Sequence, residues 1–189
     1  MIIDLLRHGE TELGGGLRGS LDDALTAKGW EQMQAAVASA GPWHAVVSSP
    51  LQRCARFAQM LGEQRRLPVQ LAPGLRELHF GEWEGRSAAD LMVTHEQQLG
   101  QFWSDPYAYT PPGGEAVIDF ASRVWAAIAD LPREHAGKPV LLVTHGGVMR
   151  LLLARARGLP REQLLQVEVG HGALYRLELL ADGNLREVH

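Results

Sequence analysis

Short apolar runs alternate with stripes of helical period along this chain. Residues 2–6 (Ile-Ile-Asp-Leu-Leu), 45–48 (Ala-Val-Val-Ser) and 139–143 (Pro-Val-Leu-Leu-Val) read as buried strands. Each leads into a helix-like pattern. Thr26 can cap a helix whose apolar positions are Trp30, Met33, Val37 and Ala40. Cys54, Phe57, Ala58 and Leu61 form the next stripe, and Val117, Phe120, Ala121, Val124, Ile128 and Leu131 the longest. Gly146-Gly147 then opens a helix carrying Val148, Leu151 and Leu152. Residues 173–180 alternate in part and read as an edge or hairpin strand, with Asp182-Gly183 turning into residues 185–188. Strands alternating with helices predict a mostly parallel sheet covered on both faces. Ligands of such sheets sit beyond the carboxyl ends of the strands. Residues 79–113, rich in glycine, proline and aromatics, read as an irregular lid over that edge, within a single domain spanning 1–189.

Composition narrows the classes. At 189 residues, 46% hydrophobic and 21% charged, the chain is an ordinary globular one, long enough to bury a core without disulfides or a structural metal. A net charge of -4 argues against nucleic acid or an anionic membrane as partner. Cys54 is the one cysteine, so no intramolecular disulfide forms. The apolar run after Met1 is interrupted by Asp4 and stopped by Arg7, too short for a signal-peptide core or a span, and the cytoplasm is the expected location. Lys28 and Lys138 are the only lysines. The arginine excess suits phosphate or carboxylate binding, although compositional bias in the source genome explains it equally well.

The predicted strand ends carry the chemistry. Leu5-Leu6 runs into Arg7-His8-Gly9-Glu10-Thr11, Leu142-Val143 into Thr144-His145-Gly146-Gly147, and residues 45–48 into Ser49-Pro50-Leu51-Gln52-Arg53. A neutral imidazole nitrogen attacks phosphorus without prior deprotonation. A phosphate dianion needs cations and N–H donors around its oxygens. Arg7 and Arg53 offer guanidinium forks, His145 a further donor, and Gly146-Gly147 a close approach to a helix N-terminus. A departing alkoxide needs an acid. Glu77, in Leu75-Arg76-Glu77-Leu78-His79-Phe80-Gly81-Glu82-Trp83-Glu84-Gly85, is the candidate, with a proton affinity raised by the neighbouring phosphate. Glu82 and Glu84 lie close by, and any of the three can be a solvated carboxylate, with Glu77 favoured by its place in the motif.

Arg-His-Gly-Glu-Thr, Ser-Ser-Pro-Leu-Gln-Arg, Leu-Arg-Glu-Leu-His-Phe-Gly-Glu-Trp-Glu-Gly and Val-Thr-His-Gly-Gly-Val-Met-Arg resemble, in order, the blocks of the histidine phosphatase (phosphoglycerate mutase-like) superfamily. The resemblance spans residues 7 to 150. It implies a three-layer α/β/α sandwich and a phosphomonoester hydrolase working through a phosphohistidine intermediate on His8. Arg7, Arg53 and His145 would form the phosphate pocket with His8, Glu77 would be the proton donor, and no metal or organic cofactor is implied. The short glycine-rich loop of residues 14–26 and the chain length are similar to bacterial α-ribazole phosphatases of cobalamin biosynthesis, which implies α-ribazole 5′-phosphate as the small-molecule substrate. Many relatives place an aromatic and an asparagine where Leu13-Gly14 stands here, so one phosphate contact lacks its usual donor.

Other residues have weaker claims. Arg18, Gly146, Trp83 and His171 are candidates for substrate or supporting contacts, as are Trp103 and Tyr107, and His79 is expected behind the site. His44, His95, His135 and His189 are expected to be solvated. The glycine-rich loop does not open a helix directly, as a dinucleotide fingerprint requires. Met60 stands where a cysteine phosphatase needs arginine, and no His-Glu-x-x-His is present. Alternatives that remain are a broad-specificity sugar, nucleotide or phosphoprotein phosphatase, a phosphoglycerate-type mutase, and a non-catalytic phosphoryl-ligand binder. The sequence does not specify an oligomeric state.

Overall fold

A computed structural model describes residues 1–188, and His189 lies outside the described residues. Six strands form one sheet in the order β3-β2-β4-β1-β5-β6. They are β1 (Ile2–Arg7), β2 (Ala45–Ser48), β3 (Val69–Leu71), β4 (Val140–Thr144), β5 (Leu174–Leu179) and β6 (Leu185–Val188). The first four run parallel, and β5 and β6 add an antiparallel hairpin beside β1. The sheet is therefore mixed around a parallel centre. The three-residue β3, preceded by Pro68, carries too little pattern to be seen in the sequence.

Alternate residues of the central strands feed two separate cores. Ile3, Leu5, Ala45, Val47, Val140 and Leu142 face one, with the apolar stripes of α4 (Val117–Glu134) and α5 (Gly146–Ala156). Leu6, Val46, Leu141 and Val143 face the other, with α1 (Ala27–Val37) and α2 (Gln52–Arg65). This period-two division of apolar runs is what makes three layers, α/β/α. Thr26 caps α1 by accepting the Gly29 N–H at 3.0 Å, as expected, although Ala40 falls beyond that helix. Asp4, the polar break in β1, is buried and satisfied. Trp43 Nε1 donates to it at 2.7 Å, and Arg176 on β5 donates twice at 2.8 Å.

The segment read as irregular holds a 17-residue helix, α3 (Ala88–Ser104). Its buried positions, Leu91, Leu99 and Phe102, are interrupted by a non-helical break at His95, while Met92, Val93 and Trp103 are exposed. The apolar stripe is thus broken, and the readable signal was local: Ser87 and Asp90 form a reciprocal capping box. His135 is also not solvated; its side chain is buried just past the end of α4, where the chain turns toward β4. Among the described residues no helix is long and apolar enough to cross a membrane.

Candidate active site

The parallel register aligns three strand ends. Arg7 pairs with Thr144 and Ser48 with Val143, so His8, His145 and Ser49 emerge side by side at one edge. His8 N–H donates to Thr144 O and Ser49 N–H to Val143 O, each at 3.0 Å, extending the ladder one residue into the site. The His8 and His145 rings meet edge to face with centroids 5.3 Å apart.

Hydrogen bonds assign the protons of both rings. His8 Nδ1 lies 2.8 Å from Gly9 O, and a carbonyl can only accept, so Nδ1 carries the proton and Nε2 keeps its lone pair. Burial holds His8 well below the ordinary imidazole range, and the Arg53 and Arg7 charges act the same way against the Gly9 bond. His145 is fully buried and lowered likewise, first by burial and then by Arg53. Arg53 Nε–H donates to His145 Nδ1 at 3.3 Å, which leaves the single His145 proton on Nε2, 2.7 Å from Ser49 Oγ. Sequence reasoning used Ser49 only as part of a motif and missed this pairing. Cys54 packs within 3.7 Å of the His145 ring, but burial pushes its thiol far up, so it is an inert wall.

Two guanidiniums stand where they were expected. Arg53, on the first turn of α2, is completely buried and donates to Leu21 O at 2.5 Å and Gly19 O at 2.9 Å. Arg7 donates to Val169 O, while its Nε is buried without any partner. An orphaned buried cationic N–H is costly unless a ligand meets it. Burial lowers the Arg7 proton affinity, Glu77 opposes that, and Arg150, Arg18 and Arg53 add to it. These groups form a cluster with four guanidiniums.

Glu77 reaches the same place from the segment after the short turn Pro73–Leu75. Thr144 Oγ1 donates to Leu75 O at 2.9 Å and ties that segment to the end of β4. The Glu77 carboxylate accepts the Gly147 N–H at 2.9 Å, at the start of α5, and the Leu78 N–H at 3.0 Å. Gly147 makes this approach feasible: a Cβ there would lie 2.2 Å from Glu77 Oε1. Gly146 likewise lies against Arg7, with Nε 3.3 Å from where its Cβ would be. Of the neighbouring acids, Glu84 takes the Ser20 and Leu21 N–H groups at 2.7 and 2.9 Å and acts as a loop staple. Glu82 is exposed.

The remaining candidates divide. His171 comes to the site, its ring 5.7 Å from that of His8. Arg18 folds back over the motif carrying His8. Trp83 does not reach the site: it is fully buried, stacked on Tyr109 at 5.7 Å, so it supports the chain instead of touching a ligand. Trp103 is half exposed, and Tyr107 lies under Arg161. His79 sits 3.8 Å from Glu84. Sequence reasoning also missed Asp23 and Arg123, since neither belongs to a motif that was singled out.

Comparisons with known proteins show the family. The model of the histidine phosphatase superfamily (branch 1) matches residues 3–188. The chain is 34% identical over 179 residues to the adenosylcobalamin/alpha-ribazole phosphatase of Escherichia coli (strain K12), covering 93% of this chain and 88% of that one. It is 35% identical over 169 residues to a glucosyl-3-phosphoglycerate phosphatase of Mycolicibacterium vanbaalenii, covering 82% and 74%. The crystal structure of the alpha-ribazole phosphatase from Shigella flexneri superposes with a TM-score of 0.85 at 32% identity, covering 100% of this chain and 96% of the other. The chain belongs to the histidine phosphatase superfamily and is a phosphomonoesterase.

Proposed function

We propose that the chain hydrolyses α-ribazole 5′-phosphate through a phosphohistidine on His8. One observation carries the mechanism: the Nδ1 bond to Gly9 O leaves the Nε2 lone pair of the buried His8 free, within the field of the Arg53 and Arg7 guanidiniums. Nε2 attacks phosphorus in line, and the N–P bond forms as the bond to the ester oxygen breaks. Glu77 gives its proton to the departing alkoxide. Water then attacks phosphorus and loses a proton to the Glu77 carboxylate, the N–P bond breaks, and phosphate leaves. Arg7 and Arg53 hold the equatorial oxygens. His145 fixes Arg53 through Nδ1, and its single N–H, which Ser49 Oγ accepts in this structure, is the donor it can turn to the same anion.

The substrate assignment draws on the likeness to the alpha-ribazole phosphatases and on the lining beside Glu77. Leu78, Phe80, Phe102, Pro106, Val117, Phe120, Leu164 and Leu165 surround a cavity of about 60 Å³ there. In this reading these apolar residues border an aromatic leaving group, which is too large to enter a cavity of that size. The segment containing Phe80, Phe102 and Pro106 is, in this reading, a lid on the leaving-group side. A second reading has its own support. Arg150 lines the same cavity with one backbone acceptor, Val167 O, and would suit the carboxylate of glucosyl-3-phosphoglycerate.

Specificity constants for the two esters decide between the readings, with α-ribazole 5′-phosphate expected to exceed the other by at least tenfold. Equal, poor turnover of both would remove the substrate assignment and leave the chemistry standing. His8→Ala is expected to abolish both turnover and the acid-labile phosphoenzyme seen in rapid quench.

A further inference from the structure

Arg18 sits on the glycine-rich loop, where an arginine would ordinarily extend into water. Here its side chain is only 11% exposed. It donates to Thr11 Oγ1 and to Gly14 O, which turns the guanidinium back over the segment that carries His8. The loop is closed at its base by the Thr11–Leu25 bridge and the Glu12 N–H bond to Ala24 O at 2.9 Å. The turn inward is therefore made by a tethered backbone. The Arg18 charge is felt by both Arg7 and His171, and Asp23 links its guanidinium to that of Arg53.

Asp23 explains how two guanidiniums share this space. Its carboxylate is 3% exposed and lies 3.3 Å from Arg18 Nε and 3.5 Å from Arg53 Nη1. Its Oδ1 accepts from Arg53 Nη1 at 3.5 Å, whereas its Oδ2 makes no hydrogen bond and faces Arg18 by charge alone. Arg53 has other anchors in His145, Gly19 O and Leu21 O, whereas among the described residues Asp23 is the only carboxylate in an ion pair with Arg18. One anion between two cations leaves a positive charge unbalanced in a nearly dry place.

We propose that Arg18 is a third phosphate-binding guanidinium and that Asp23 is a positioning residue, holding Arg18 beside Arg53 as one unit. The proposal rests on the phosphatase reading above. Thr11 and Gly14 fix one edge of the Arg18 fork, Asp23 fixes Nε, and the remaining N–H groups are available for an oxygen of the anion.

Orthovanadate inhibition and phosphohistidine formation, measured on the full chain, test this. Arg18→Ala should weaken vanadate inhibition by at least tenfold and Arg18→Lys by less, because a lysine keeps the charge without the fork. Both should keep the wild-type melting temperature within a few degrees. Asp23→Asn should weaken inhibition in the wild-type background and change little in the Arg18→Ala background. Simple loosening of the loop would weaken it equally in both, which would overturn the role given to Asp23. Undiminished inhibition of Arg18→Ala, with wild-type protein forming phosphohistidine, would overturn the role of Arg18 alone. Wild-type protein that neither binds vanadate nor forms phosphohistidine would overturn the phosphatase reading, and this proposal with it.

Discussion

His8 and His145 are both held neutral by burial, and this has separate consequences for activity and for stability. The nucleophile needs a free lone pair, so kcat/KM should not fall as the pH drops through the ordinary imidazole value of 6.5. A half-maximal loss at that pH would contradict a depressed His8. Stability behaves oppositely. Above 6.5 neither folded nor unfolded imidazole is protonated, and the states are matched. Below it the unfolded chain binds protons that the native site refuses, so stability falls by up to about 1.4 kcal/mol per pH unit for each histidine. His8→Gln should make melting temperature less dependent on pH between 6.5 and 5; His145, His135 and His171, also lowered, retain the rest. At Gly147 the prediction concerns catalysis. An added Cβ would strike only the end of the flexible Glu77 side chain, so Gly147→Ala should fold normally while displacing the acid. General acids contribute roughly 10²–10⁴-fold, so kcat for alkyl phosphates should drop within that range. A nitrophenyl ester, whose leaving group needs no proton, should be spared; an equal loss on both would exclude this role for Glu77. Gly146-Gly147 was legible in the sequence because its motif is contiguous. The partner of Gly147 lies 70 residues away, so the contact itself was not.

At the scale of elements, the acid-bearing segment has no regular structure of its own beyond a single turn, and α4 supplies its frame. Arg123 donates to Gly74 O at 2.8 Å, Arg76 O at 2.7 Å and Glu77 O at 2.9 Å, and it holds Glu115 at 2.6 and 2.9 Å. Glu115 in turn accepts the His79 N–H at 3.3 Å. Arg123→Ala leaves three carbonyls and a carboxylate without this donor, a loss of about 2 kcal/mol for partly buried groups. For a chain of this size, melting should fall by roughly 4–8 °C. If Arg123 also positions Glu77, kcat should fall with KM nearly unchanged; unchanged kcat in the surviving folded fraction would leave it a purely structural residue. Nothing in the sequence announced this clamp, since Arg123 sits within an amphipathic stripe whose polar members all look alike. Apart from β3, the strands and α1, α2, α4 and α5 were legible because each carries a readable apolar run or helical stripe. α3 was not, because the break at His95 and the exposed Val93 and Trp103 scramble its apolar face. Its tertiary support, Trp83 edge-on to Phe102 with centroids 5.8 Å apart, joins residues whose sequence neighbours give no hint of contact.

For the whole molecule, the sign of the charge changes with distance from the site. The chain carries -4, yet among the described residues Arg7, Arg18, Arg53 and Arg150 face Asp23 and Glu77 in the pocket, four positive charges against two negative ones. A phosphate monoester dianion makes up the difference. Net charge was readable from composition, but this inversion was not, because it depends on which arginines converge. An approaching dianion meets opposed fields. Repulsion from the whole molecule at ~20 Å is on the order of 1–2 kcal/mol in unscreened water, and attraction by the pocket at ~8 Å is on the order of 2 kcal/mol and rises as water is excluded. Salt removes the longer-range contribution first: the Debye length is about 30 Å at 0.01 M, about 10 Å at 0.1 M and about 3 Å at 1 M. kcat/KM for a dianionic ester should therefore change little, or rise slightly, between about 0.01 and 0.1 M potassium chloride, and fall severalfold from there to 1 M. kcat should stay level, because the bound anion is inside the protein and screened far less. Arg150→Gln should flatten the high-salt limb. A decline steepest below 0.1 M would mean that the molecule attracts its substrate as a whole, against its net charge, and would rule out a pocket-confined field as the source of capture.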